Sequence, residues 1–159
     1  MDLFQMPGHL IRRLHQRSTA VFQQEMKRAG QDLTPVQFAA LQAIAAQPGI
    51  DQAGVAARIA YDRATIGGVI ERLEHKGLVS RAVSPRDRRA RQVRLTPAGQ
   101  ALLSDIEGLV ADLQARILPG LSREERRQFL ALAKKATTVA EAQESQAGTG
   151  SDPGFNGGG

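Results

Sequence analysis

The residues of this sequence best suited to chemistry are the arginines between Arg81 and Arg94. Six arginines occupy this stretch, and Asp87 is its single acid. A guanidinium keeps its charge at physiological pH and can hold a phosphate or a carboxylate through two hydrogen bonds. Because an ordinary solvated surface mixes both signs of charge, the run predicts a site for an anionic partner. That partner is either duplex DNA or a protein that binds an arginine-rich loop.

The net charge of the chain is concentrated in the same region. The 159 residues carry 21 Lys+Arg and 16 Asp+Glu, a formal charge of +5. Residues 34–99 hold ten basic and five acidic side chains, whereas residues 100–159 hold six and eight. A basic surface favours a polyanionic partner. Aromatic residues make up only 4% of the chain, which disfavours single-stranded nucleic acid, because such sites stack bases on aromatic rings.

Several functional classes are disfavoured by what the sequence lacks. It has no cysteine, which excludes disulfides and thiolate metal sites. Its three histidines lack helical metal-ligand spacing, and there is no nucleophile motif or glycine-rich phosphate loop. No apolar run approaches the roughly 18 residues that span a bilayer, and the N-terminus lacks the pattern of a secretory signal. We therefore expect a cytoplasmic binding protein, not an enzyme, with no cofactor, metal or membrane partner.

Apolar spacing and capping signals predict six helices and one hairpin that must position the arginines. Thr34-Pro35 and Thr96-Pro97 are typical of helix starts, and Asp62 is a plausible N-cap. Lys76-Gly77 is typical of a helix end, and alternating residues on both sides of Ser84–Arg89 indicate two strands. The predicted helices cover residues 8–29, 34–47, 52–59, 63–76, 97–118 and 123–145, and the predicted strands cover 78–83 and 90–95.

The middle of the chain has the parts of a winged helix-turn-helix. Three short helices precede the hairpin, and the third of them buries one apolar stripe formed by Ile66, Val69, Ile70 and Leu73. A helix of this kind fits the major groove of duplex DNA, and arginines of a hairpin can reach phosphates or the minor groove. The residues that this geometry turns toward DNA are Arg63, Ala64, Thr65, Gly67, Gly68, Arg72, Arg86, Arg88, Arg89 and Arg91.

Two ordered motifs resemble the MarR family of bacterial transcriptional regulators. Glu71–Arg81 (ERLEHKGLVSR) is similar to the end of that family's recognition helix. Asp87–Gly99 (DRRARQVRLTPAG) is similar to its wing, with Asp-x-Arg followed by Leu-Thr-x-x-Gly. The resemblance implies a triangular homodimer on a pseudo-palindromic operator, with Arg89 in the minor groove and Asp87 orienting a neighbouring arginine.

The glycine pair Gly67-Gly68 departs from the family pattern, in which many members carry polar or basic residues in the middle of the recognition helix. Each glycine costs a helix interior roughly 1 kcal/mol relative to alanine. The pair either lets the backbone approach the bases closely or only relieves crowding inside the protein. It leaves base readout to Arg63, Thr65 and Arg72.

The helices outside the winged region carry apolar faces that one small lobe cannot cover. We expect two copies to bury these faces in an isologous dimer, which agrees with a two-fold operator. The predicted organisation is an N-terminal dimerisation helix (1–33), the DNA-binding domain (34–99), C-terminal dimerisation helices (100–145) and a disordered tail (146–159). The predicted interface residues are Leu10, Leu102, Ile106, Leu109, Leu113, Phe129 and Leu132.

The first helix also offers a candidate site for a small anion. Arginine suits carboxylate recognition, and histidine can hydrogen-bond a ring substituent. His9, Arg13 and either Arg17 or Gln16 follow four-residue spacing, and Phe38 could supply an apolar wall. The resemblance favours a repressor of aromatic-compound catabolism that an aromatic carboxylate releases from DNA. The alternatives are a constitutive DNA-binding regulator, whose first-helix arginines contact phosphate, and a winged-helix protein-interaction module.

Overall fold

The computed structural model describes residues 2–148, which form six α-helices and one two-stranded antiparallel sheet after a short 3₁₀ turn at Leu3–Gln5. The helices and strands are α1 (Pro7–Arg28), α2 (Pro35–Ala46), α3 (Gln52–Arg58), α4 (Arg63–His75), β1 (Val79–Val83), β2 (Arg91–Leu95), α5 (Pro97–Ile117) and α6 (Arg123–Gly148). The chain divides into two compact units between Ile117 and Leu118. The predicted class, mainly α with a winged helix-turn-helix, is confirmed.

The helix starts follow the predicted capping chemistry. Thr34 Oγ1 accepts from the amide of Gln37, whose side chain accepts in return from the amide of Thr34. Asp62 Oδ1 accepts from the amide of Thr65 at the start of α4. These contacts satisfy amides that have no partner inside the helix. At the end of α4, Gly77 takes the left-handed conformation with φ +71.

The core of the first unit forms around α2 and α4. Leu41, Ile44, Ile66, Ile70 and Leu73 are completely buried, so α4 is anchored by its predicted apolar stripe. Because these apolar side chains cover only one side of α4, the opposite side of the helix remains in solvent. This packing turns the polar and glycine positions of α4 outward.

The hairpin pairs Val79 with Leu95 and Val83 with Arg91. The segment before α3 adds to its edge, because Asp51 bridges to Gln92 and the amide of Val93 donates to the carbonyl of Ile50 at 2.8 Å. This pairing fixes the wing to the start of α3. It therefore also sets the distance between the wing and the recognition helix.

The packing of α1 against α5 corrects part of the predicted dimer interface. Ile106 and Leu113 are 2% and 1% exposed within a single chain, where they belong to the core that includes Phe22 and Met26. They are already covered by their own chain and need no partner to bury them. Leu102 and Leu109 are only partly buried.

The far end of the chain differs from the predicted boundary at residue 145. The final helix continues to Gly148, so the first three residues of the expected tail are helical. The remainder of that tail, residues 149–159, lies outside the described residues. On α6, Ser122 and Glu125 form the predicted capping box, with each side chain accepting from the other residue's amide.

The turn between α3 and α4 contains Ala60 in the left-handed region, with φ +54. The amide of Ala60 donates to the carbonyl of Ala57 and that of Tyr61 to Ala56, the pattern of a Schellman helix end. Glycine usually occupies this position, because a Cβ in left-handed backbone costs roughly 1–2 kcal/mol.

Replacing Ala60 with glycine should therefore raise the free energy of unfolding. The gain should be about 0.5–1 kcal/mol, because the greater freedom of glycine in the unfolded chain offsets part of the relieved strain. Urea denaturation of the Ala60→Gly variant tests this. A loss of stability would mean that the left-handed alanine is not strained.

Candidate nucleic-acid interface

The outward face of α4 presents the side chains that the sequence assigned to it. Arg63, Ala64, Thr65 and Arg72 are exposed, and the two glycines between them are partly buried. The hydroxyl of Thr65 donates to Asp62 Oδ2 at 2.6 Å. Its hydrogen is thus committed to the helix cap, and the oxygen remains able only to accept. The hydrogen bond from the Thr65 hydroxyl, more than any other contact, holds the pKa of Asp62 below its ordinary value.

The tip of the wing is shaped by main-chain hydrogen bonds. Asp87 Oδ1 accepts from the amide of Arg89 at 2.9 Å, and the hydroxyl of the buried Ser84 accepts from the amides of Arg86 and Asp87. Within the part of the chain that the structure describes, Asp87 forms no ion pair with a guanidinium. Asp87 thus holds the main chain of the neighbouring Arg89 in an Asx turn, and its orienting role toward an arginine on DNA stays a prediction. Five arginines of the hairpin are exposed: Arg86, Arg88, Arg89, Arg91 and Arg94.

A cleft of about 360 Å³ joins the start of α3 and α4 to the wing. Its lining includes Arg63 of α4, Arg89 and Arg91 of the wing, Gln52, and the two acids Asp51 and Asp87. The structure thus brings residues from two predicted groups, helix and wing, into a single concave surface. Three guanidinium groups against two carboxylates leave the cleft with a net positive charge that suits phosphate.

Arg81 belongs to the basic run of the sequence, but in the structure it contacts Glu74 and Gln52. Its Nε donates to Glu74 Oε2 at 2.8 Å, which joins β1 to the last turns of α4. Its Nη1 lies 3.5 Å from Oε1 of Gln52 on α3. The hydrogen bond from Arg81 is the largest cause that lowers the pKa of Glu74, so the pair remains ionised well below neutral pH.

The glycine pair of α4 leaves space that other side chains use. A Cβ at Gly67 would lie 3.8 Å from Nε2 of Gln52, and one at Gly68 would lie 3.7 Å from Nη2 of Arg72. These are ordinary contact distances, so neither glycine is required by a clash. Gln52 could not be identified from the sequence, because no motif contains it and only the fold brings it beside α4.

Part of the predicted ligand site is brought together near the N-terminus. The ring of Phe4 lies edge-on to His9 at 5.6 Å, and the guanidinium of Arg13 lies 5.2 Å from the centre of the same ring. Nε2 of His9 is buried and has no hydrogen-bond partner among the described residues. Gln16 is exposed on the same helix. Phe4, an aromatic residue of the short turn that precedes α1, thus belongs to this cluster.

Two of the predicted ligand residues are engaged elsewhere. Arg17 donates from Nε to the carbonyl of Ile117 at 2.8 Å and from Nη2 to the carbonyl of Arg116 at 3.1 Å. The last carbonyls of a helix lack partners within it, and arginine can satisfy them. In this conformation Arg17 caps α5 and is not available to hold a carboxylate. Phe38 packs against Phe22, with ring centres 5.6 Å apart.

Among the side chains that the structure describes, residues 2–138, no group of three potential metal ligands lies close enough together to hold an ion. In the same part of the chain no helix is both long enough and apolar enough to cross a membrane.

Comparison with known proteins identifies similar transcriptional regulators. A model described as MarR family matches residues 31–90. The chain is 36% identical over 134 residues to the HTH-type transcriptional repressor NicR of Pseudomonas putida, and the match covers 84% of each protein.

Two solved structures extend the comparison to three dimensions. One, with a TM-score of 0.79 and 34% identity, comes from work on the regulation of DNA binding of Bordetella bronchiseptica BpsR by 6-hydroxynicotinic acid. It covers 86% of this chain and 96% of that one. The other is a MarR variant of Escherichia coli in complex with operator DNA, with a TM-score of 0.76 and 28% identity, covering 86% and 99%. From its winged fold and its similarity to these regulators, the chain belongs to the MarR family of transcriptional regulators.

Proposed function

We propose that the protein is a cytoplasmic repressor that binds a pseudo-palindromic operator in duplex DNA and is released by a small aromatic carboxylate. The observation that carries this proposal is the cleft in which Arg63 of α4 faces Arg89 and Arg91 of the wing. Arginines on two separate elements, with exposed helix residues between them, match the way a winged helix holds phosphates while it contacts bases. The protein would act by binding and not by catalysis.

The proposed operator symmetry requires a homodimer. Exposed apolar side chains outside the winged region support one. Leu10 and Leu132 are 41% and 67% exposed, and Ile11 on α1 is 65% exposed. Three further residues of the predicted interface are partly buried: Leu102, Leu109 and Phe129. The proposed interface no longer includes Ile106 and Leu113, which the chain itself buries. Exposed apolar side chains in such number are typical of surfaces that a partner covers.

The proposed ligand site is formed by His9 and Arg13. A buried ring nitrogen without a partner costs free energy unless a ligand or a water molecule satisfies it. Arg13 supplies a charge for a carboxylate, and its contact with Phe4 leaves an aromatic surface beside that charge. Ligand binding would release DNA by favouring a spacing of the two recognition helices that no longer fits successive major grooves. By linkage, operator DNA would then weaken ligand affinity by the same factor.

Replacing Arg13 with alanine should abolish release by the ligand and leave operator binding within about twofold of the wild type. The reason is that Arg13 provides the charge for the carboxylate but lies outside the cleft between α4 and the wing. A panel of small aromatic carboxylates that includes 6-hydroxynicotinic acid is first screened by thermal shift, since a ligand of the native state raises the melting temperature. The acid that stabilises the wild type is then titrated into the operator complex of each protein.

Arg12→Ala, which removes the same charge from the neighbouring exposed position on α1, is the matched control. It should retain the response to the acid. An Arg13→Ala protein that still releases DNA would contradict the assignment of the site. Absence of any stabilising acid, with DNA binding intact, would favour a constitutive regulator.

A further inference from the structure

We propose that Gln52 reads a base of the operator, and that Arg81 and Glu74 hold its amide in position above Gly67. The inference rests on the proposed DNA binding and adds a specificity-determining residue that lies outside the recognition helix. Gln52 is the first residue of α3, is partly buried, and lines the cleft between α4 and the wing.

A chain of polar contacts fixes the orientation of the amide. Glu74 Oε2 accepts from Nε of Arg81 at 2.8 Å, and Nη1 of Arg81 lies 3.5 Å from Oε1 of Gln52. A guanidinium can only donate hydrogen bonds, so it faces the amide oxygen and directs the NH₂ group of Gln52 away. The side chain of Arg81 is only 27% exposed, so its rotamer is restricted by its surroundings. Recognition helix, wing and α3 are thereby joined at a single arginine.

The glycine in α4 supplies the room that this arrangement needs. A Cβ at Gly67 would lie 3.8 Å from Nε2 of Gln52, so a longer side chain that extends from this position toward the amide would compete with it for the same space. Gln52 therefore occupies the outward surface that a longer residue at position 67 would fill. This gives Gly67 a functional reason, because a side chain from a neighbouring helix replaces the one that is missing.

The chemistry of an amide fits base readout better than phosphate binding. With its oxygen turned toward Arg81, Gln52 can donate from its NH₂ group to N7 of adenine, N7 or O6 of guanine, or O4 of thymine in the major groove. Arg63 and Arg89 line the same cleft and supply the charge that phosphates require. The neutral Gln52 therefore contributes to sequence readout, whereas the arginines beside it contribute to affinity.

The test compares Gln52→Ala with the wild type on two duplexes. One is the duplex that the wild type selects from a randomised library, and the other is a scrambled duplex of the same composition. We expect Gln52→Ala to lose about tenfold or more in affinity for the selected duplex and less than about threefold for the scrambled one. The dependence of affinity on salt should be unchanged, because an amide neutralises no phosphate. Selection repeated with the variant should lose its preference at one base pair of each half-site.

Two further variants separate positioning from folding. Arg81→Lys keeps the charge opposite Glu74 but loses the forked geometry that reaches both partners, so it should lower specificity at the same base pair with the melting temperature retained. Gln114→Ala, on the exposed surface of α5, is the matched control and should behave as the wild type.

The possible results distinguish failure of the role proposed for Gln52 from failure of the proposed DNA-binding function. A wild type that discriminates between the duplexes while Gln52→Ala discriminates equally well would overturn the role of Gln52 and leave the proposed function standing. Equal losses on both duplexes would also overturn it, because the residue would then contribute only to general affinity. A wild type that binds neither duplex would overturn the proposed function and, with it, this inference.

Discussion

Replacing Arg89 with alanine will weaken binding to the operator by more than about tenfold and leave the homodimer intact. Arg89 is exposed at the tip of the wing, and its main-chain amide is held by Asp87 Oδ1 at 2.9 Å. The backbone is thus fixed while the guanidinium stays free to enter a minor groove, where narrow A·T-rich stretches concentrate negative potential. The substitution removes the charge without removing the turn, because the Asp87 contact uses the main chain.

Operator binding of Arg89→Ala can be measured by fluorescence anisotropy, and its oligomeric state by sedimentation. The matched control is Arg127→Ala, which makes the same change in net charge at an arginine of α6 that pairs with Glu124. If general electrostatics governed affinity, both variants would lose equally. An operator affinity of Arg89→Ala equal to that of the wild type would show that the wing does not contact DNA.

Replacing Gly99 with alanine will destabilise the folded protein by at least about 2 kcal/mol. A Cβ at this position would lie 2.1 Å from the carbonyl oxygen of Leu78 and 3.0 Å from its carbonyl carbon. Both obstacles are backbone, so neither can move aside as a flexible side chain would. Overfilling a packed site commonly costs 1–3 kcal/mol and occasionally more.

The surroundings of Gly99 explain why the backbone cannot yield. Thr96 donates from its amide to the carbonyl of Leu78 at 3.0 Å and from its hydroxyl to the carbonyl of Gly77 at 2.6 Å. The same hydroxyl accepts from the amide of Gly99 at 3.1 Å. These contacts tie the first turn of α5 to the end of α4. The Leu-Thr-x-x-Gly motif is therefore a joint between the recognition helix and the long helix that follows the wing.

Thermal denaturation tests the prediction, with an expected decrease in Tm of about 4–8 °C for 2 kcal/mol in a protein of this size. Gly108→Ala is the control in the same helix, because a Cβ there meets nothing within 4 Å. It should be neutral or raise the stability by up to about 1 kcal/mol through helix propensity. If the two alanines had the same effect, the close approach at Gly99 would not limit stability.

Local signals explain why most of the fold could be predicted from the sequence. The helix starts at Thr34 and Asp62 depend on side chains within three residues, and the buried stripe of α4 depends on spacing within one helix. Caps and apolar stripes of this kind depend only on residues that are close together in the sequence. They identify the elements and the face that each element buries.

Contacts between residues that are far apart in the sequence could not be predicted from the sequence. Spacing along α1 placed Arg13 and Arg17 on one face, but Arg17 caps the end of α5, a hundred residues further along. Periodicity identified the apolar face of α5, yet it could not show that α1 already covers Ile106 and Leu113. The contacts of Arg81 with Glu74 and Gln52 likewise exist only because the wing folds back beside α3 and α4.

The most direct test of the proposed function is the salt dependence of operator binding. Each phosphate contact reduces log K by about 0.9 for every tenfold increase in salt. Arg63 and Arg72 on α4 and the five exposed arginines of the hairpin can supply several such contacts in each protomer. For a protein that binds duplex DNA through α4 and the wing, we predict a slope steeper than about −4. A slope shallower than about −1 would contradict this proposal and favour a winged helix that binds another protein.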